Sequence, residues 1–341
     1  MRKFTLMILS LIVFYSIAFG FWLGFHQVFY LYNFLIIGSS CALGLGLWPV
    51  LPKRRRHLAR KLCQALLGGY MFLGLGLGFV YVGFGMIQPE NMQMEGFWFL
   101  LLAGVFAASV MHYAISKISG PFFFGRVWCG WGCWTAGVLD LLPWQRSPGR
   151  RPGWGLARYA MAGVSAGLVF LLVFAFHYTA RATSGIVDLS GTHSLARVYQ
   201  NLLDIPEFWW FVGGNVVYYA AGIGLAAALR DNRAFCKYLC PVTALLKVGA
   251  RFSLLRIKAR GACSGCGACD AACPMDVRIS EYVRAGRRVT STECILCMTC
   301  VTTCASNALG ASFGFDIGRR ERLRLHGERR SRVGAASGNC S

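Results

Sequence analysis

Eight cysteines towards the C-terminal end of this 341-residue chain form two runs of identical spacing. The first run contains Cys263, Cys266, Cys269 and Cys273, and the second contains Cys294, Cys297, Cys300 and Cys304. Each run reads C-x2-C-x2-C-x3-C, and a proline follows the first. This spacing is typical of bacterial ferredoxins, in which cysteine thiolates bind [4Fe–4S] clusters. The sequence therefore predicts two such clusters.

The spacing also predicts which thiolates share a cluster. In two-cluster ferredoxins the fourth cysteine of each run ligates the other cluster. The first predicted ligand set is Cys263, Cys266, Cys269 and Cys304. The second predicted ligand set is Cys294, Cys297, Cys300 and Cys273. Zinc is the competing metal, but zinc sites are typically built from C-x2–4-C pairs, so two runs of four favour iron–sulfur clusters.

A second cysteine pattern occurs twice upstream. Residues 126–133 and 233–240 both read R-x-aromatic-C-x-aromatic-x-C, and their cysteines are Cys129 and Cys133, then Cys236 and Cys240. Positions four apart share a helix face, so each pair can present two sulfurs to one centre. Three interpretations stay open: a shared metal or additional cluster, a redox-active dithiol, or small buried side chains. The remaining cysteines are assigned no role, and they are Cys41, Cys63 and Cys340.

The elements that must position these cysteines are strongly apolar. The chain is 56% hydrophobic and only 14% charged, whereas soluble domains carry about 25% charged residues. A bilayer core of about 30 Å requires roughly 20 apolar helical residues. Six stretches are long enough, and they are 4–25, 28–51, 62–87, 97–115, 159–176 and 209–229. The sequence therefore predicts about six transmembrane helices.

The net charge of +21 is concentrated in particular loops. Residues 53–61 and 117–158 each hold six Lys or Arg, whereas 88–96 holds none and 177–208 holds two against three acids. Because short cytoplasmic loops are enriched in cations, we expect both termini and all the cysteine motifs to face the cytoplasm of a bacterial inner membrane. This distribution explains the positive charge without nucleic acid as a partner. The seven arginines of 319–332 predict an end that lies near anionic lipid.

The predicted organisation has three parts. Residues 1–255 form an all-α polytopic membrane domain that carries both cysteine pairs. Residues 256–312 form a small α+β, ferredoxin-like domain with two [4Fe–4S] clusters. Residues 313–341 form a basic, disordered tail.

With both motif sets in view, the chain resembles the NapH/NosR-like family of membrane-bound 4Fe-4S ferredoxin-type proteins, and in layout it is most similar to the YccM-like members. The resemblance runs from about the third apolar stretch to Cys304. It is carried by residues 125–133, residues 235–241 and the two ferredoxin runs. Trp134 departs from the family, which often has proline there. The resemblance implies electron transfer from membrane quinol towards an unidentified reductase partner, with the clusters on the cytoplasmic side.

A quinol site requires a proton acceptor beside an apolar cleft at membrane depth. His112, towards the inner end of the fourth apolar stretch, is the candidate, and helix packing is the competing interpretation. His26 and His177 are level enough for axial haem ligation, but packing is favoured because no motif supports a haem. No flavin or nucleotide motif is evident, so we expect a component rather than a complete enzyme. The alternative function is an accessory or sensory iron–sulfur protein for metal-centre assembly or redox regulation.

Overall fold

The computed structural model of the chain is mostly helical. It describes the following residues: 4–26, 28–85, 89–102, 108–178, 202–318 and 321–328. The chain divides into two compact units. The first consists of Met1–Tyr113, Trp131–Gly137 and Val164–Tyr219, and the second of Ala114–Gly130, Val138–Gly163 and Ala220–Ser341. These units cut across the predicted boundary at residue 255, because segments from both sides of it pack with the cysteine-rich region.

The first unit begins with two long apolar helices, α1 (Thr5–Phe25) and α2 (Val28–Val50). They pack closely because small residues line the contact. A Cβ atom added at Gly38 would lie only 2.5 Å from the Cβ of Phe14. A larger residue at this position would therefore separate the two helices.

Helix α3 (Arg56–Gly69) packs on α2. At this contact Gly44 faces Cys63, whose Cβ would lie 2.6 Å from an added Cβ atom. Cys41 and Cys63 have no partner by sequence spacing, yet they hydrogen-bond to each other across the two helices. Helix packing, rather than a ligand motif, brings this pair together.

The third apolar stretch, 62–87, is interrupted. After α3 the backbone forms a π-helix over Tyr70–Gly76 and then α4 over Phe79–Phe84. Gly78 separates the two with φ at +74°, in the left-handed region that favours glycine. Hydropathy detects the apolar character of this stretch but not the break in its helix.

The fourth apolar stretch, 97–115, is also built from short pieces. These are α5 (Met94–Leu102), α6 (Ala108–Tyr113) and a π-helix over Ala114–Ser119. Residues 103–107 lie outside the described part of the chain. So do 86–88 and 179–201, and the second of these ranges covers most of the 177–208 loop that was used to predict orientation.

Further helices follow along the chain: α7 (Gly120–Phe124), α8 (Val127–Trp131), α9 (Trp134–Leu139), α10 (Ala157–Phe170), α11 (Pro206–Leu229), α12 (Ala234–Tyr238), α13 (Pro241–Ala250), α14 (Ala268–Ala271), α15 (Ile279–Arg284) and α16 (Thr299–Thr303). Within the described ranges, four helical segments are long and apolar enough to cross a membrane. They are Thr5–Phe25, Val28–Val50, Trp154–Ala175 and Pro206–Leu229. Four of the six predicted spans therefore correspond to long apolar helices.

The ferredoxin-like region lies in the second unit. Strands β1 (Leu255–Ala259) and β2 (Leu309–Phe313) pair antiparallel, with Leu255 opposite Phe313 and Ala259 opposite Leu309. Buried Ile257 of β1 receives a backbone hydrogen bond from Val289 at 2.8 Å. Both cysteine runs lie between these two strands in the sequence.

The two cysteine runs have the same backbone pattern. Left-handed residues occupy equivalent positions, Gly265 and Gly267 in the first run and Leu296 and Met298 in the second. Gly267 and Met298 directly precede α14 and α16. The left-handed conformation costs about 1–2 kcal/mol for a residue with a Cβ atom, so the second run bears strain that glycine removes from the first.

Part of the predicted tail is ordered. Residues 321–328 return to the second unit, where Arg278 and Arg324 form backbone hydrogen bonds with Arg322 and Asp276. Arg324 also pairs its guanidinium with the buried Asp276 carboxylate at 2.7 Å. A buried carboxylate requires a cationic or hydrogen-bonding partner, which explains why this segment is held. Residues 319–320 and 329–341 lie outside the described part of the chain.

We predict that Gly267→Ala destabilises the chain by about 1 kcal/mol, because alanine is strained at φ +71°. Gly261→Ala is the matched control, since an added Cβ meets no atom closer than 3.9 Å there and the residue has no left-handed φ. Thermal unfolding of the purified full-length variants measures the difference. Equal midpoints for the two variants would contradict this account of the loop.

Candidate iron–sulfur sites

Four of the eight ferredoxin-type cysteines line one cavity in the second unit. They are Cys273, Cys294, Cys297 and Cys300, which together are the second predicted ligand set. The other lining residues are apolar, among them Ile257, Val289 and Ile295. The cavity therefore offers sulfur as its metal-binding chemistry and apolar walls that exclude water. This donor set and this lining fit an iron–sulfur cluster.

The cysteines that line this cavity do not converge on one point. Among the residues that the structure describes, no three His, Cys, Asp or Glu side chains lie close enough to hold one metal ion. A four-iron cluster binds each thiolate through a separate iron atom, so its ligands need not converge on one point.

Burial sets the protonation of these thiols. It raises the pKa of Cys294 to about 11, and it also raises the pKa values of Cys273 and Cys300. Neighbouring cysteines of the same set add to the shift, because nearby negative charges disfavour the thiolate. Metal binding must therefore displace protons from this set.

The first predicted ligand set is more exposed. Cys263 and Cys266 are exposed to solvent, while Cys269 and Cys304 are partly buried. Burial and then the neighbouring Asp270 carboxylate raise the pKa of Cys269 to about 12, and Cys263 contributes to the shift. The structure thus brings Cys263 near Cys269 at the surface.

In the upstream repeats, each arginine binds the first cysteine of its own motif. Arg126 hydrogen-bonds to Cys129, and Arg233 hydrogen-bonds to Cys236. Both cysteines are buried. Burial alone would lower the pKa of Arg126, but Cys129, Glu293 and Cys236 raise it above its usual value. The guanidinium groups therefore remain charged beside the sulfur atoms.

The two repeats also contact each other within the second unit. Arg233 donates to the backbone oxygen of Cys129 at 3.1 Å and pairs with Asp140 at 2.5 Å. Arg126 donates to the Thr243 hydroxyl at 3.2 Å. Arg233 thus binds the first repeat directly, and Arg126 binds a residue that closely follows the second repeat.

Three of the four repeat cysteines lie close together in the second unit. Burial, Cys236 and Cys129 raise the pKa of Cys240 to about 12. Cys133 belongs to the first unit, where Gln64 donates to its backbone oxygen at 3.0 Å. Trp134, which stands at the family's proline position, begins α9 and donates to Asn215 at 3.1 Å.

Glu293, directly before Cys294, is the centre of a buried ion cluster. Its carboxylate is 1% exposed and pairs with four cations. The partners are Arg126 at 2.7 Å, Arg150 at 2.7 Å, Arg158 at 3.0 Å and Lys247 at 2.7 Å. Burial alone would raise the pKa of Glu293, but these cations hold it well below its usual range. Four cations against one carboxylate leave an excess of positive charge.

A second buried ion cluster surrounds Lys237, between Cys236 and Cys240. Its ammonium group binds Asp231 at 2.6 Å and Asp276 at 2.5 Å. Asp276 follows Cys273 by three residues. Buried ion pairs therefore join the first repeat to the residue before Cys294, and the second repeat to the residues after Cys273.

Sequence analysis missed these buried acids. It assigned the cations of residues 117–158 to membrane topology, whereas the structure pairs Arg126, Arg150 and Arg158 with a buried carboxylate. The position of these acids in the sequence could have pointed to them. Glu293 directly precedes Cys294 and Asp276 follows Cys273 by three residues, in a chain with only 14 acidic residues.

His112 lies in α6 of the first unit. It is half-buried, and its ring meets Tyr113 edge-on with centroids 6.0 Å apart. These contacts do not test a quinone role, which stays a prediction.

Two protein families match the chain. The 4Fe-4S dicluster domain matches residues 262–309, which contain both ferredoxin runs. The 4Fe-4S binding domain matches residues 118–151 and 216–260, which contain both upstream repeats. No solved structure matches the chain.

Curated relatives give a consistent result. The methylamine utilization ferredoxin-type protein MauN of Methylobacillus flagellatus is 28% identical over 51% of this chain and 58% of its own length. The ferredoxin-type protein NapH of Haemophilus influenzae is 26% identical over 56% of this chain and 63% of its own length. YccM of Escherichia coli is 33% identical over 31% of this chain, which covers 29% of YccM.

The domains and the cysteine geometry define a ferredoxin-type 4Fe-4S protein with apolar helices. Its homologues are the NapH, MauN, YccM and NosR proteins, which confirms the resemblance drawn from the motifs. The chain spans less than two thirds of the length of these relatives. The apolar helices and the NapH and YccM homologues indicate a membrane protein.

We predict that Glu293→Gln destabilises the chain by about 3–5 kcal/mol, because four buried cations lose the carboxylate that they share. Chemical unfolding of the purified full chain measures the loss.

Glu328→Gln is the control for this substitution. Its carboxylate pairs with Arg278 at the surface, where an ion pair contributes about 1 kcal/mol or less. Similar losses in the two variants would show that the Glu293 cluster does not stabilise the fold.

Proposed function

We propose that this protein is a membrane-bound iron–sulfur electron-transfer protein, which relays electrons between the quinol pool and a partner reductase through two cytoplasmic [4Fe–4S] clusters. The observation that carries the proposal is the apolar cavity lined by four cysteines of both runs. The match of residues 262–309 to the 4Fe-4S dicluster domain supports the proposed iron–sulfur clusters. We place the clusters and both termini on the cytoplasmic side of a bacterial inner membrane, on the basis of the loop charges.

Each cluster has a proposed set of residues. Cys294, Cys297, Cys300 and Cys273 would hold the enclosed cluster. Cys263, Cys266, Cys269 and Cys304 would hold the exposed cluster. When bound, such a cluster accepts and donates one electron.

The protein surrounds the enclosed set with apolar side chains and with the excess positive charge around Glu293. Apolar walls exclude water from the sulfur atoms. Buried cations favour the more negative state of a nearby redox centre by Coulomb attraction, and the effect is strongest where water does not screen it. Arg126, which pairs with Glu293, also hydrogen-bonds to Cys129.

The difference in exposure suggests the order of the two sites. The enclosed set is tied through Glu293 and Asp276 to the upstream repeats, which follow apolar helices in the chain. The exposed set presents Cys263 and Cys266 to solvent. We therefore propose that electrons pass from the enclosed site to the exposed site, and that the redox partner docks at the exposed one.

The upstream repeats would provide a third site. The 4Fe-4S binding domain covers both repeats, and the second unit groups Cys129, Cys236 and Cys240. Arg126 and Arg233 supply positive charge beside the sulfur atoms. We propose that these thiolates bind an additional metal or cluster.

Iron and acid-labile sulfide content tests the two-cluster proposal. We expect about eight irons per chain from two clusters, and more if the third site holds iron. Cys294→Ser and Cys263→Ser should each lower the content by about half of the two-cluster total. Cys340→Ser is the control and should lose none. An iron-free chain that is correctly folded would overturn the proposal.

Quinol oxidation is tested separately. We expect His112→Ala to slow cluster reduction by quinol about a hundredfold, since general acid–base catalysis contributes at least that much. Cluster absorbance after quinol addition to the reconstituted chain gives the rate, and iron content should be unchanged.

His57→Ala is the matched control, because His57 is exposed and its ring hydrogen-bonds to the backbone oxygen of Arg54. An unchanged rate in His112→Ala would remove His112 from the quinol site. Failure of the wild-type clusters to accept electrons from quinol would instead favour the accessory or sensory function.

A further inference from the structure

The ferredoxin-like region carries an apolar surface that its own core does not cover. We propose that this surface inserts into the head-group region of the lipid bilayer and seats the region on the membrane. We call it the apolar rim, and its members are Phe123, Phe124, Phe313, Phe315 and Ile317. The proposal rests on the membrane location of the chain and adds a specific contact to it.

The last residue of β2 and the segment that follows it supply three members of the apolar rim. Phe313 and Phe315 are 67% and 68% exposed, and Ile317 is 48% exposed. Gly314 and Asp316 between them are less exposed. Since alternate residues of an extended chain point to the same side, these three side chains form one apolar stripe.

Helix α7 supplies the other two members beside this stripe. Phe123 and Phe124 are about half exposed, and their rings lie 6.2 Å apart. The backbone connects them to β2 through Leu254, which donates to the Phe122 oxygen at 3.0 Å and accepts from Gly314 at 3.1 Å. Backbone hydrogen bonds thus hold the two parts of the apolar rim near each other, although they are nearly 200 residues apart in the sequence.

Lipid is the occupant that the surroundings favour. Helix α7 follows directly from the fourth apolar stretch, so the chain leaves the predicted membrane span at this surface. Phenylalanine and other large apolar side chains are typical of protein surfaces that lie in the membrane interface. An apolar stripe of this kind on a water-soluble surface would instead be a liability for aggregation.

Cations next to the apolar rim support the same assignment. Arg251 is exposed and donates to the Gly318 oxygen at 3.1 Å, directly after the stripe. In the sequence, Arg319 and Arg320 follow immediately. Apolar residues flanked by arginine bind anionic membrane surfaces through burial and charge together.

The test uses the full chain reconstituted into vesicles of phosphatidylcholine and phosphatidylglycerol. An environment-sensitive fluorescent amino acid replaces Phe315 in one variant and Arg284 in another. Arg284, at the end of α15, is exposed but lies outside the apolar rim. We expect a blue-shifted emission at position 315 and quenching by brominated acyl chains several-fold stronger than at position 284.

Flotation of the vesicles and iron content separate this proposal from the proposed function. If the chain floats and holds iron, but position 315 has a water-exposed emission or is quenched no more than position 284, the apolar rim does not contact lipid. A blue shift that depends on the ratio of chain to lipid, without quenching by brominated lipid, would assign the surface to self-association and overturn the proposal.

Discussion

The buried carboxylate of Glu293 organises the second unit. Its four cations come from separate parts of the chain: the turn before α8, the loop after α9, helix α10 and helix α13. Charges taken out of water cost several kcal/mol each unless they are paired. The four segments must therefore remain together around residue 293. Because Cys294 is the next residue, the same ion cluster fixes the start of the second cysteine run.

The Lys237 ion cluster plays the equivalent part for the segment that carries Cys273. It binds Asp276, which follows Cys273, and Arg324 of the ordered C-terminal segment binds the same carboxylate. The two upstream repeats are thereby fixed to the two segments that carry Cys273 and Cys294. An electron-transfer protein needs this rigidity, since fixed charges around a redox centre set its potential. The excess of cations around Glu293 favours negative charge next to the second cysteine run.

The two cysteine runs share a backbone pattern but differ in environment. Glycine fills the left-handed positions of the exposed first run, whereas Leu296 and Met298 fill those of the second and line its cavity. The apolar side chains exclude water from the enclosed set at the cost of backbone strain. One motif is therefore used for two cysteine sets of different exposure.

The sequence alone determined the cysteine runs, the upstream repeats, the largely helical and apolar character of the chain and its resemblance to NapH-like proteins, because these depend on local spacing and composition. It also assigned Cys273 to the set of the second run, and the structure places that cysteine in the same cavity. Tertiary structure decided the rest. Arg126 and Glu293 are 167 residues apart, and no local pattern predicts that two such distant charges share a buried site. The helix breaks around Gly78 and the ordered segment at Arg324 likewise depend on backbone geometry and on a distant buried carboxylate, which hydropathy and net charge do not contain.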